Sequence, residues 1–221
     1  MKLSRIFIVN LLLIAGMLTL SVWAWEQLPA NAQIPTRFDF DGTPIAYMNK
    51  SIGLLLMPLV TSIVALNDLI SPRIEPNQNN IQRSKKAYDI VSLTGVIFCA
   101  VVHLTIILSA LGKAVDTTDI ITVAMGVLTV VSGNYLSKIR HNYSFGFRTR
   151  WTLASNLAWH KTHRWASWLT VAHGLAFIVV GLSSSTAFLI ITLISFATAS
   201  LIILPIYSYL LWKSDSNHST E

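Results

Sequence analysis

Six long apolar runs, at positions 6–25, 52–70, 90–111, 120–136, 165–182 and 187–212, constrain this chain more than any other feature. A helix needs about 20 mostly apolar residues to cross a bilayer, with a range of about 17–25, so each run has a spanning length. Lipid offers no partner to a backbone N–H or C=O, which limits spanning segments to helices and closed barrels. Barrel strands would read as alternating segments of about ten residues, and none occurs. Composition agrees, with 53% hydrophobic and 12% charged residues, against roughly 25% charged in a soluble domain. The predicted fold is an all-α integral membrane protein, with six transmembrane helices in a single polytopic domain over 1–221. Internal repeats, low-complexity tracts and a second soluble domain are not apparent. The lone Cys99 falls in the third run, where a thiol reads as packing.

Cytoplasmic loops are enriched in Lys and Arg, and that bias sets orientation. With the N-terminus inside, thirteen of the basic residues fall on inner segments, from Lys2 and Arg5 through Arg73, Arg83, Lys85 and Lys86 to the 137–164 cluster and Lys213. Three, Arg37, Lys50 and Lys113, fall outside. The chain is therefore predicted N-in and C-in, with an outer loop at 26–51 and a cationic inner loop at 137–164. Lys2 and Arg5 before an apolar run also resemble a signal peptide, with "VWA" or "ANA" as a cleavage site. The run exceeds the usual 7–15-residue apolar core of such peptides, so it is read as a retained span.

The outer loop, "EQLPANAQIPTRFDFDGTPIAYMNK", carries Pro29 and Pro35, which favour extended chain, and the turn dipeptide Asp41-Gly42. "IPTRFDF" and "TPIAYMN" flank that turn and predict a small hairpin, with Phe38, Phe40 and Tyr47 at the membrane interface. It reads either as a connector or as an outward recognition surface.

The inner stretch "GNYLSKIRHNYSFGFRTRWTL" gathers Lys138, Arg140, Arg148 and Arg150 among rings, Gly and Asn, and no Asp or Glu occurs from Ile120 to Trp212. Topology alone explains the charge, and anionic lipid at the cytoplasmic face is a natural partner for it. The interspersed Gly146, Asn134, Asn142, Thr149 and Trp151 point further, to a folded element. "TLASNLAWHKTHRW" predicts an interfacial helix running into the fifth span, capped by Thr152 or Ser155, with Trp159, His163 and Ala166 on one face. Asp68 and Asp89, near the inner ends of spans two and three, are expected to pair with basic residues of this loop.

General acid–base catalysis needs a titratable pair with complementary roles, and the inner loop has no carboxylate. His160 and His163 are spaced like helix ligands, but Lys161 and Arg164 repel a cation, so no metal or other cofactor is expected. No Walker, GxGxxG, HExxH or GxSxG motif occurs, and no catalytic residue is assigned. Direct nucleic-acid binding is discounted, because positive-inside statistics account for the charge. His103 and His173 lie within spans and are expected to hydrogen-bond neighbouring helices while neutral.

Two blocks resemble the SdpI-type immunity family, bacterial integral membrane proteins that protect against a secreted peptide toxin. The outer pattern "LP…IP…F…G…P…Y…K" falls on Leu28-Pro29, Ile34-Pro35, Phe38, Gly42, Pro44, Tyr47 and Lys50. The inner block "GNYLSKIRHNYSFGFRTRWTLASNLAWHKTHRW" follows the family's "GN…KI…N…G.RTPWTL…W..THR" almost throughout. Departures are Arg37 where His is common, Ile45-Ala46 for Asp-Gly, Arg150 for Pro, and Asn156-Leu157 for an acidic pair. The resemblance implies a multi-pass protein of the bacterial cytoplasmic membrane. It would give resistance to an antimicrobial peptide and signal by recruiting a cytoplasmic autorepressor. Toxin contact is then expected in the outer loop at Pro35, Arg37, Phe38, Gly42, Tyr47 and Lys50. The cytoplasmic signature and partner surface would comprise Asn134, Lys138, Arg140, Asn142, Gly146, Arg148, Thr149, Trp151, Thr152, Trp159, His163 and Arg164. The competing reading is a transporter or a lipid-head-group-binding protein, against which stand the missing inverted repeat and the absence of paired broken spans. A third, that the inner block only packs helix ends together, is compatible with the first.

Overall fold

The computed structural model describes residues 5–216, so Lys2 and the last five residues of the polar tail lie outside the described residues. Helix α1 (Arg5–Gln27) leads into an antiparallel ribbon of β1 (Gln33–Phe38) and β2 (Pro44–Asn49). The helices α2 (Lys50–Ile74), α3 (Gln78–Ala110) and α4 (Thr117–Leu136) follow. A short α5 (Arg150–Ala154) precedes the long α6 (Asn156–Ser183). The last rod, Thr186–Ser214, is α7 (Thr186–Thr198) and α8 (Leu204–Ser214) joined by a π-helical turn at Ala199–Ile203. Pro205 opens α8 and has no N–H for the carbonyl one turn back, which fits a widened turn there. Six of these rods are long and apolar enough to cross a membrane.

Several helices outrun the apolar runs that betray them. α3 has 33 residues, about 50 Å at 1.5 Å per residue, so its polar start extends beyond the hydrocarbon thickness. The stretch predicted as one interfacial helix is two helices. Ser155 is extended (φ −146°, ψ 124°) and its Oγ accepts the Ala158 N–H at 3.0 Å, so α5 stops and α6 starts afresh. From there α6 is continuous through the fifth apolar run.

Polar contacts join the first three rods. Pro58 lies inside α2 and cannot donate to the Leu54 carbonyl. Ser21 of α1 supplies that carbonyl with an O–H donor at 2.8 Å, the kind of repair that lets proline sit in a spanning helix. His103 of α3 joins the same node, its Nε2 3.1 Å from both Ser21 Oγ and the Met17 carbonyl. It therefore bonds across helices, as the sequence predicted. His173 does not: its Nδ1 donates to Leu169 of its own helix at 2.7 Å, and its ring meets Phe196 of α7.

α4 and α6 pack most closely, along a seam of glycines. A methyl on Gly126 would stand 2.7 Å from the Gly174 carbonyl, and one on Gly174 would stand 2.6 Å from the Val130 nitrogen. Gly133 and Gly181 meet the opposing backbone just as closely. Small residues let spanning helices approach until dispersion and backbone contacts hold them.

The ribbon closes one end of the bundle. Ile34 is fully buried against Ala24, Leu54, Ile106 and Ile107, with Phe38 packed beside them. At its tip Asp39 Oδ1 accepts from the N–H groups of Asp41 and Thr43, and Gly42 takes φ +80°. Thr118 of α4 donates to the Asp39 carbonyl at 3.0 Å, and Thr186 of α7 to Asp41 Oδ1 at 2.7 Å. The tip thereby bridges helices that are distant in sequence.

Candidate functional site: a folded cationic cap

The opposite end is closed by the basic stretch, which is folded throughout. After α4 the chain buries Ile139 against Ala87 and Trp159. Ser84 Oγ accepts the Arg140 N–H at 2.9 Å, and Asn80 Nδ2 donates to the His141 carbonyl at 2.9 Å. Both partners come from the projecting start of α3. Asn142, fully buried, forms the next turn: its Oδ1 accepts from the N–H groups of Ser144 and Phe145, and its Nδ2 donates to the Arg140 carbonyl. This is the self-bonding that makes asparagine a turn residue.

The acid that anchors this loop is Glu75, directly after α2. It is 2% exposed and accepts from the Tyr143 N–H at 3.0 Å, the Ser144 hydroxyl at 2.5 Å and the Asn77 N–H at 3.1 Å. Burial pushes its carboxyl up, but the donors from Ser144, Tyr143 and Asn77 together hold it below its ordinary value. The expectation that Asp68 and Asp89 hold the loop is thus corrected. Asp68 accepts from Tyr88 and Ser92, and Ser92 in turn accepts from Asn10. Asp89 pairs with Lys85 one turn away, at 2.8 Å. Asp68 is thus engaged by α3 and Asp89 by its own helix, whereas Glu75 sits where α2 ends and can turn into the cap.

Gly146 and His163 form the centre. Gly146 has φ +110°, and a methyl there would stand 2.6 Å from His163 Nε2. That Nε2 accepts the Phe147 N–H at 3.0 Å. His163 Nδ1 lies 2.8 Å from the Trp159 carbonyl, which can only accept, so the ring is neutral with its proton on Nδ1. Trp159, fully buried, stacks on His163 with centroids 4.0 Å apart and donates Nε1–H to the Ile139 carbonyl at 3.0 Å. Thr149 and Thr152 form a reciprocal capping box on α5. Thr149 also bonds Ser208 of α8 at 3.0 Å, and Trp151 packs against Tyr209 at 5.3 Å.

The predicted signature residues therefore divide by direction. Asn142, Gly146, Thr149, Thr152, Trp159 and His163 point inward and build the cap. Asn134, Lys138, Arg140, Arg148 and Arg164 are exposed, although Arg148 also donates to the Tyr143 carbonyl at 2.5 Å. Trp151 is half-buried between the two sets. Among the described residues no group of three or more His, Cys, Asp or Glu could hold a metal ion.

The outer residues divide in the same way. Pro35 is buried and Phe38 packs into the core beneath the ribbon. Lys50 is buried too: its Nζ donates to the Leu28 carbonyl at 2.6 Å and sits 4.5 Å over the Trp25 ring. Gly42 makes the turn, while Arg37, Phe40 and Tyr47 remain exposed. Glu75 was the residue the sequence reading missed. Its available signal was that the inner loop carries no acid of its own, so any acidic anchor has to come from another loop.

Fold and site together define a multi-pass helical membrane protein, closed at one end by a small ribbon and at the other by a folded cationic cap. Residues 138–208 match the SdpI/YfhL protein family, and residues 12–61 match a domain of unknown function (DUF1648). Over 93% of its length the chain is 25% identical to "Immunity protein SdpI" of Bacillus subtilis (strain 168), spanning 95% of that protein. The SdpI-type resemblance carried by the two sequence blocks is thereby shown. The DUF1648 match encloses the outer block, and the SdpI/YfhL match takes in most of the cap. No solved structure matches the chain.

Proposed function

We propose that this chain is a non-catalytic immunity protein of the bacterial cytoplasmic membrane that protects its host from a secreted antimicrobial peptide. The observation that carries the reading is its similarity, along 93% of the chain, to a protein named for immunity. The thirteen-to-three distribution of basic residues supports an N-in, C-in orientation. The ribbon then faces outward, and its exposed Arg37, Phe40 and Tyr47 meet the peptide. Pro35, Phe38, Gly42 and Lys50 shape the ribbon from within. The cap faces the cytoplasm and presents Arg140 and Arg148 to an autorepressor. A ligand signals only if its affinity differs between two states. The bonds of the ribbon tip to α4 and α7 are the physical link through which peptide at the ribbon would bias α4, whose other end enters the cap.

Expression in a toxin-sensitive strain, challenged with a panel of secreted peptide toxins, tests this. Protection against at least one peptide is expected, and an Arg37→Ala/Tyr47→Ala variant should lose it with unchanged membrane abundance. Unaltered killing across the panel would overturn the immunity reading.

A further inference from the structure

Where α4 ends and α6 begins, the glycine seam opens into a groove of about 570 Å³ lined by Asn134, Ser137, Lys138, His160, Arg164 and Trp168, among others. No acidic side chain lines it, and none exists between Ile120 and Trp212 to neutralise its cations. Asn134, Ser137, Lys138, His160 and Arg164 are all exposed, so donors and positive charge converge on one open space.

The groove continues along α6. His160, Arg164, Trp168, Leu175, Val179 and Leu182 recur every three, four or seven residues, which places them on one helical face. The face passes from basic through aromatic to aliphatic, and Trp168, Leu175, Val179 and Leu182 are 74%, 53%, 65% and 74% exposed. Tryptophan favours the headgroup level of a bilayer, and Lys and Arg bind phosphate oxygens by charge-assisted hydrogen bonds.

We propose that this groove binds one anionic phospholipid, with its headgroup phosphate between Lys138 and Arg164 and an acyl chain along Trp168, Leu175 and Val179. Charge selects the headgroup, because the lining offers donors and cations without an acid. The aliphatic stripe selects a membrane lipid over a soluble phosphate, since a soluble anion would leave it unused. The site is separate from the ribbon and stands whether or not the chain confers immunity.

Native mass spectrometry of the full chain in detergent, titrated with phosphatidylglycerol or phosphatidylcholine, tests the assignment. Phosphatidylglycerol should be retained preferentially, and Lys138→Gln/Arg164→Gln should weaken its binding about thirtyfold, roughly fivefold per basic side chain at an anionic surface. Trp168→Ala should weaken it further without restoring phosphatidylcholine. Arg83→Gln/Lys86→Gln changes two exposed cations at the start of α3 and should leave it unchanged. Lys138→Arg/Arg164→Lys should keep binding, while an unaltered melting temperature separates lipid loss from misfolding. Equal losses in the two Gln pairs would mean diffuse charge attraction and overturn the site. Equal retention of the two lipids, or displacement by glycerol phosphate at the lipid's own concentration, would overturn it too.

Discussion

At the scale of single residues the cap depends on a few groups with no substitute. Gly146 combines a backbone angle that L side chains rarely adopt with contact against the acceptor nitrogen of His163. Gly146→Ala should destabilise the protein by about 2–4 kcal/mol, combining backbone strain with overpacking. Gly112→Ala is the matched control, with φ +71° but nothing within 4 Å of the added methyl, and should cost about 1–2 kcal/mol. Thermal unfolding in detergent checks the pair; equal costs would mean that the His163 contact is dispensable. Glu75 gives a pH dependence. Its folded-state carboxyl lies below the ordinary value of 4.5, so its contribution is complete above that value and is lost as pH falls through the folded one. Wild-type protein should lose stability with acidification below about pH 4.5 more steeply than Glu75→Gln, whose side chain does not titrate. Parallel slopes in melts across that range would refute the anchoring role.

At the scale of elements, the seam between α4 and α6 sets the position of both cap termini. Gly174→Ala would place a methyl 2.6 Å from the Val130 backbone nitrogen, so the helices must part, at about 1–3 kcal/mol. Gly95→Ala in α3 meets nothing within 4 Å and should be neutral or stabilising by up to about 1 kcal/mol, because alanine loses less entropy in a helix. Monodisperse recovery after graded heating reads the difference. This seam also shows what the sequence disclosed. The apolar runs located the six rods, because the length needed to cross lipid is a local property. The Asp41-Gly42 turn located the ribbon, and Ser155 the start of α6, because turn and capping chemistry are local too. Gly126 with Gly133, and Gly174 with Gly181, stand seven residues apart in plain view, but which two faces meet is decided only by packing. Asp68 and Asp89 looked like anchors by their nearness to the inner ends of their runs. The outcome turned instead on the chain direction at the end of α2, which points Glu75 into a loop 68 residues later.

At the scale of the whole molecule, two folded ends lie on opposite sides of one bundle, and function depends on which end meets which compartment. Three basic residues accompany the ribbon end, and one of them, Lys50, is already engaged by Leu28 and Trp25. The cap end keeps Lys138, Arg140, Arg148, Lys161 and Arg164 exposed, so the side richer in exposed cations should be cytoplasmic. Single-cysteine variants in a Cys99→Ala background can test this with a membrane-impermeant maleimide. Tyr47→Cys should label in intact cells, whereas Arg148→Cys and Lys161→Cys should label only after lysis. The reverse pattern would turn the ribbon toward the cytoplasm and remove its access to any secreted peptide, so the immunity reading would fall with the orientation. The lipid groove would survive such a reversal as a chemical site, because its cations and aliphatic stripe keep their order along α6. It would then face the outer leaflet, and its occupant would have to be an anionic lipid of that leaflet.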